Sequence, residues 1–222
     1  SLNTRTQVRV EEDRGKKGEP KPGQLEEKSC PLPALEALWT ADRQRMVLIG
    51  LPGSGKSTFV RYIALRHAQA LKDPKMDLRA ALEGWDGAAL IPVIVPLGRM
   101  AEGLPEGIHR GRAEHVLTYI HQTLKADERA APYAQHLFAD LEQRGGLFLF
   151  DGLDEVADLN RRPQVVQALE DFAQRFGGNP RSRFLVTCRT FSYTDPRWQL
   201  AGWTTHELAP LDREKIEQFI AA

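Results

Sequence analysis

Sulfur is scarce, charge is balanced and long apolar runs are missing, and each shortage removes a class of protein. Cys30 and Cys188 are the only cysteines in 222 residues. That is too few for a disulfide framework and suits a reducing, cytoplasmic setting, which is expected here. Thirty Lys and Arg residues offset thirty Asp and Glu residues, so no long-range field draws the chain to nucleic acid, and no direct nucleic-acid binding is expected. The longest apolar stretch, residues 88–97, is interrupted by Pro92 and Pro96 and falls well short of the roughly 20 residues that span a bilayer. Neither a membrane partner nor a signal peptide is expected. The six histidines lack metal-ligand spacing. His115 and His121 are six apart on an expected helix and would not share one face. All six are expected to be ordinary surface or half-buried residues. No internal repeat is visible.

What is present begins with a composition, 41% hydrophobic and 27% charged, that can bury one full α/β core. The most informative segment is MVLIGLPGSGKST at residues 46–58. Four apolar residues, suited to a buried strand, stop at a loop matching G-x-x-x-x-G-K-[ST] from Gly50 through Gly55 and Lys56 to Ser57. Gly53 and Gly55 can adopt backbone angles that turn successive N–H groups toward an anion. A helix starting near Lys56 would add its positive dipole end. In such a loop the lysine reaches the β- and γ-phosphates and the Ser57 hydroxyl can ligate Mg²⁺. The following FVRYIALRHAQAL places Phe59, Tyr62, Ile63 and Leu65 at helical spacing.

A second motif, LFLFDGLDE at residues 147–155, reads as a central parallel strand ending in Asp151, the expected metal-side carboxylate. Asp154 and Glu155 follow three and four residues later, where one could aim at an attacking water. Glu155 is favoured as the base and Asp154 stands in reserve. A third strand, Arg183 to Arg189, should end beside the first two. Arg189 there is either a surface arginine or a contact to the γ-phosphate, the group that ADP lacks. No N-K-x-D stretch is present to read guanine and no L-S-G-G-Q stretch marks a transporter ATPase, so adenine is the expected base.

Residues 11–30 are polar and rich in Gly and Pro and read as a linker, with a short strand possible in TRTQVRV before it. A helix is expected over residues 33–44. A second strand is expected from Leu90 to Leu97, placed at a sheet edge by its prolines. Further helices are expected at Ala113 to Lys125, Pro132 to Arg144 and Arg162 to Phe176, the last with Val165, Val166, Leu169, Phe172 and Ala173 on one face. A final strand near Trp203 to Leu208 and a helix from Asp212 complete the pattern. The aromatic loop with Phe191, Tyr193 and Trp198 is expected to pack against its neighbours rather than stack on a base.

Together the segments GLPGSGKSTFVRYIA, IPVIVPLGRM, LFLFDGLDEV, FLVTCRT and HELAPLDREKIEQFI resemble the NACHT domain of the STAND class of P-loop NTPases, relatives of the AAA+ proteins, over about Leu35 to Phe219. Gly152 directly after Asp151, with the acidic pair displaced to Asp154 and Glu155, is the most specific likeness. The resemblance implies an α/β three-layer sandwich around a mostly parallel sheet of about five strands. It implies nucleotide contacts at Gly53, Ser54, Gly55, Lys56, Ser57 and Thr58, Mg²⁺ at Ser57 and Asp151, hydrolysis through Asp154 and Glu155, and Arg189 as sensor. Residues 33–210 would form the nucleotide-binding domain, with residues 1–32 a strand and linker and residues 211–222 the start of a helical domain. The implied function is an ATP/ADP switch with slow Mg²⁺-dependent hydrolysis that controls self-association and effector output. Effector and sensor domains are expected elsewhere in a longer chain, and bacterial defence is a common role among such relatives. The alternative is a steadily turning-over ATPase that remodels a partner.

Overall fold

The computed structural model describes residues 3–6 and 31–209. The expected linker, Cys30 and the helix from Asp212 lie outside those residues. Among the described residues seven strands form one sheet: β1 (Asn3–Thr6), β2 (Pro31–Pro33), β3 (Arg45–Gly50), β4 (Ile91–Pro96), β5 (Gly146–Asp151), β6 (Arg183–Arg189) and β7 (Thr204–Leu208). Their order is β2-β1-β7-β3-β6-β5-β4. The five strands from β7 to β4 are all parallel, and β1 and β2 extend them antiparallel. The fold is therefore α/β, a mostly parallel sheet between two helical layers.

Successive strand side chains point to opposite faces, and two cores follow from that alternation. Met46, Leu48, Leu147, Leu149 and Leu185 pack with α1 (Ala34–Thr40), α2 (Lys56–Lys72) and α3 (Leu78–Ala81). Val47, Ile49, Phe148, Phe150, Phe184 and Val186 pack instead with α4 (Leu97–Glu102), α5 (Ala113–Ala126), α6 (Leu137–Arg144) and α7 (Arg162–Phe176). In the second core Phe148 stacks on Phe184 at 5.0 Å and meets Phe172 edge-on at 5.0 Å, pairs worth about 0.5–1.5 kcal/mol each beyond their burial.

Several expected boundaries hold to the residue. β6 and α7 begin and end where the sequence places them, and all five residues of the α7 face are buried. β4 lies at the edge, as its prolines require. Elsewhere tertiary structure intervenes. The helix expected over residues 33–44 stops at Thr40, and Arg43 and Gln44 take φ of 49° and 64°. Asp42 accepts a hydrogen bond from the Arg43 N–H, a local alternative that competes with helix continuation. The single helix expected from Pro132 is a 3-10 turn, Ala131–Tyr133, followed by α6. On α2 the buried stripe is Phe59, Val60, Ile63, Ala64 and His67, so Tyr62 and Leu65 of the expected stripe face outward.

The expectation for histidine also needs correction. His67 and His206 are buried. His67 accepts the Leu90 N–H through Nδ1 at 3.0 Å and meets Trp85 edge-on, while its Nε2 is buried without a hydrogen-bond partner. His115 accepts the Arg112 N–H at 3.0 Å at the head of α5.

Candidate functional site

Gly50 ends β3, and the loop Leu51–Gly55 turns back over its root before α2 begins. A Cβ at Gly50 would sit 2.8 Å from Ser54 Oγ, so a larger residue there would have to displace the Ser54 hydroxyl from the root of the loop. Gly53 and Gly55 take φ of 74° and 91°, the left-handed region in which other residues are strained. Gly55, the N-cap of α2, offers no side-chain cap bond, and the first N–H groups of a helix have no partner within it. Lys56 Nζ donates to Gly50 O at 2.8 Å, Leu51 O at 2.9 Å and Ser54 Oγ at 3.3 Å. Burial lowers the pKa of this ammonium group, while the Asp154 and Asp151 carboxylates pull the other way. Thr58, one turn position on, is exposed.

Asp151 is the terminal residue of β5 and shares the parity of Leu147 and Leu149, so it faces the α2 layer. Its Oδ1 accepts hydrogen bonds from Ser57 Oγ at 3.2 Å and from Thr187 Oγ1 at 2.6 Å. Thr187 Oγ1 also accepts the Gly152 N–H at 2.8 Å. One threonine on β6 thus orients the aspartate and secures the turn after it. Gly152 needs its left-handed φ of 78°, and a Cβ there would lie 2.7 Å from Glu155 Cδ.

Beyond Gly152 a 3-10 turn, Leu153–Glu155, sends the two remaining acids different ways. The Glu155 carboxyl is folded back over Gly152, in an exposed residue. Partial desolvation, then the charges of Asp151 and Asp154, raise its pKa, with Arg189 opposing. Asp154 is instead engaged. Its Oδ1 accepts the Arg189 N–H at 3.0 Å and its Oδ2 lies 2.8 Å from Arg189 Nε. The Asp154 carbonyl accepts from Arg162 Nη2 at 2.8 Å.

β6 lies between β3 and β5, so Arg189 comes out beside Gly50, its register partner on β3. The Thr190 N–H reaches Gly50 O at 3.3 Å and its hydroxyl reaches Glu207 at 3.1 Å. Of the aromatic loop, Tyr193 is buried and its hydroxyl accepts the Leu200 N–H. Trp198 lies under the Arg162 guanidinium, 4.1 Å from its ring centroid. Both are packing residues, while Phe191 is 80% exposed. Burial pushes the Cys188 thiol up to about 12, so it does not supply a thiolate nucleophile near neutral pH.

Lys56, Ser57, Asp151, Asp154, Glu155 and Arg189 therefore surround the ends of three adjacent strands. Thr187 and Arg162 join them unforeseen. The one signal for Thr187 was a polar residue inside an apolar strand, at the same parity as Arg189. No cluster of three or more His, Cys, Asp or Glu residues suited to a metal occurs among the described residues, and no described helix is long and apolar enough to cross a membrane. Compared with protein-family models, with curated proteins and with solved structures, the chain finds no match, so the functional reading rests on these side chains.

Proposed function

We propose that the chain is the ATP- and ADP-binding module of a NACHT-type switch protein, with slow Mg²⁺-dependent hydrolysis of ATP. The observation that carries this reading is the Ser57–Asp151 hydrogen bond, which joins the phosphate-loop helix to the acidic strand across the intervening β6. A hydroxyl and a carboxylate side by side are hard oxygen donors that suit Mg²⁺, and the concave loop with uncapped N–H groups suits phosphate. The donors present therefore fit both groups. Ser57 and Asp151 would hold the metal, which when bound would neutralise charge on the phosphates.

The chain's own groups do the rest. Backbone N–H groups of residues 53–58 bind the phosphate chain. Lys56 Nζ exchanges its carbonyl partners for phosphate oxygens, a charge-assisted contact stronger than the one it replaces. Glu155 accepts a proton from water as the water oxygen bonds to the γ-phosphorus and the bond to the β,γ-bridging oxygen breaks, leaving ADP and phosphate. Its raised pKa brings it nearer to the working pH, as an efficient base requires. Arg189, beside Gly50, donates to the γ-phosphate.

Calorimetric titration of wild type and Lys56→Ala with Mg·ATP tests the reading. Affinity should fall roughly 100-fold or more in the variant, as expected for losing a charged contact to phosphate. Equal affinities would remove the phosphate assignment. Turnover by a longer protein containing this segment separates a switch from a remodelling ATPase: many cycles per second without a trigger would exclude the switch.

A further inference from the structure

One acid, Asp151, ends β5 and two more, Asp154 and Glu155, follow it, and the geometry separates their work. The Asp154 carboxylate is withdrawn from solvent: its side chain is 8% exposed, against 53% for Arg189. Both its oxygens are directed at one residue, Oδ1 to the Arg189 backbone N–H and Oδ2 to Nε. A carboxylate so engaged is poorly placed to take a proton from water. Glu155, in contrast, belongs to an exposed residue.

We infer that Asp154 is a positioning residue for Arg189, and that it thereby sets how strongly the site prefers a nucleoside triphosphate to a diphosphate. The inference rests on the nucleotide reading above. The backbone contact ties the end of β6 to the acidic turn, and the Nε contact fixes the direction of the guanidinium. A free arginine loses about 2 kcal/mol of rotamer freedom when it is immobilised; one already held loses less on meeting a phosphate. The ion pair is closest at Nε, and about half of the arginine side chain remains open to solvent. The neighbouring Thr190 N–H is bound to Gly50 O, so the held arginine stands at the root of the phosphate loop. Arg162 steadies the arrangement from the other side. It donates to the carbonyls of Asp154 and Val156 and stacks on Trp198, so the turn carrying Asp154 cannot drift from the loop that follows Arg189.

The test is the ratio of ATP to ADP affinity, measured by calorimetry with Mg²⁺ for the 222-residue chain and for Asp154→Asn, Arg189→Ala, the double variant and Glu155→Gln, with single-turnover rates alongside. Asp154→Asn should lower the preference for ATP roughly tenfold, about the worth of a charged hydrogen bond. Arg189→Ala should match it, and the double variant should be no worse than either, since both act through one contact. Glu155→Gln should keep the preference and lose the rate. A purely structural role would move melting temperature without moving the ratio.

Asp154→Asn that loses rate like Glu155→Gln but keeps the preference would overturn the inference and make Asp154 the base. A wild type that does not distinguish ATP from ADP would overturn the inference alone. A wild type that binds neither would overturn the nucleotide reading and this inference with it. Where Asp154→Asn fails to fold by its melting curve, Arg189→Ala decides, because an unchanged preference in that variant is equally fatal.

Discussion

Thr187 is one hydroxyl with two obligations. It donates to Asp151 and accepts from Gly152, so Thr187→Val, which keeps the shape and deletes the oxygen, leaves a buried N–H unpaired and the aspartate short of a donor. The expected cost is about 1–3 kcal/mol of stability, read from the shift of the urea midpoint at constant slope. Glu155 makes a separable forecast. Glu155→Gln should slow ATP turnover roughly 100-fold or more with nucleotide affinity retained, checked by single-turnover phosphate release. Because the wild-type carboxyl titrates above its usual range and must be ionised to accept a proton, the acid limb of the turnover profile should lie above that of an ordinary glutamate. At this scale the convergence of Lys56, Ser57 and Asp151 was legible, from a glycine-rich loop of fixed spacing and an apolar strand that ends in an acid. Thr187 was not, since threonine is an ordinary strand former. Nor was the division between Asp154 and Glu155: sequence order does not reveal which acid a 3-10 turn sends toward an arginine contributed by another strand.

Among elements, α2 carries the least expected liability. Its His67 lies in the core with Nδ1 committed to the Leu90 N–H, and burial lowers its pKa from 6.5 to about 4. A charged imidazole would have to give up that acceptor. The unfolded chain therefore binds the proton first as pH falls below 6.5, and stability declines until the folded form also protonates near 4. Loss across that window should reach about 3 kcal/mol. Urea midpoints at pH 7 and pH 4.5 check it: wild type should lose more than His67→Gln, and equal losses would clear His67 of the effect. Element boundaries were readable where local signals agreed with the fold. α7 has an unbroken apolar face and a Gly-Gly-Asn-Pro stop, and β6 runs from arginine to arginine. They were unreadable where a turn was imposed from outside propensity, as at Arg43 and Gln44 with their left-handed backbone, or where α6 begins a turn later than its alanine-rich approach suggested. Strand parity was hidden too. Leu147 to Phe150 are all apolar because both faces are covered, so nothing in that run told which helical layer Asp151 would face.

For the whole molecule, the parallel heart of the sheet followed from three strands ending in polar residues. The antiparallel extension did not, because β1 has four residues and its partners lie far along the chain. β1 pairs Thr4 with Leu208 and Thr6 with His206 on one side, and Asn3 with Pro33 on the other. Deleting residues 1–6 should expose the β7 edge, raise self-association in light scattering and lower the melting temperature; a monodisperse variant with unchanged melting would mean that β1 contributes little cover. If the molecule is a switch, the differential affinity for tri- and diphosphate at the Asp154–Arg189 pair is one source of drive, and about 5.5 kcal/mol would be needed to carry an equilibrium from 1:99 to 99:1. One arginine contact supplies a fraction of that. A complete transition would require other parts of a larger assembly to prefer one nucleotide as well.

Among the described residues the outermost strands of the sheet are β2 and β4, and each carries two prolines: Pro31 and Pro33, Pro92 and Pro96. Within each strand the pair shares one parity, and proline has no amide hydrogen to offer. A foreign strand approaching from either flank would meet a broken row of donors and could not zip into register. Among the described residues both borders are thus blunted against fibril seeding, so contacts between copies are favoured through side chains over lengthening of the sheet.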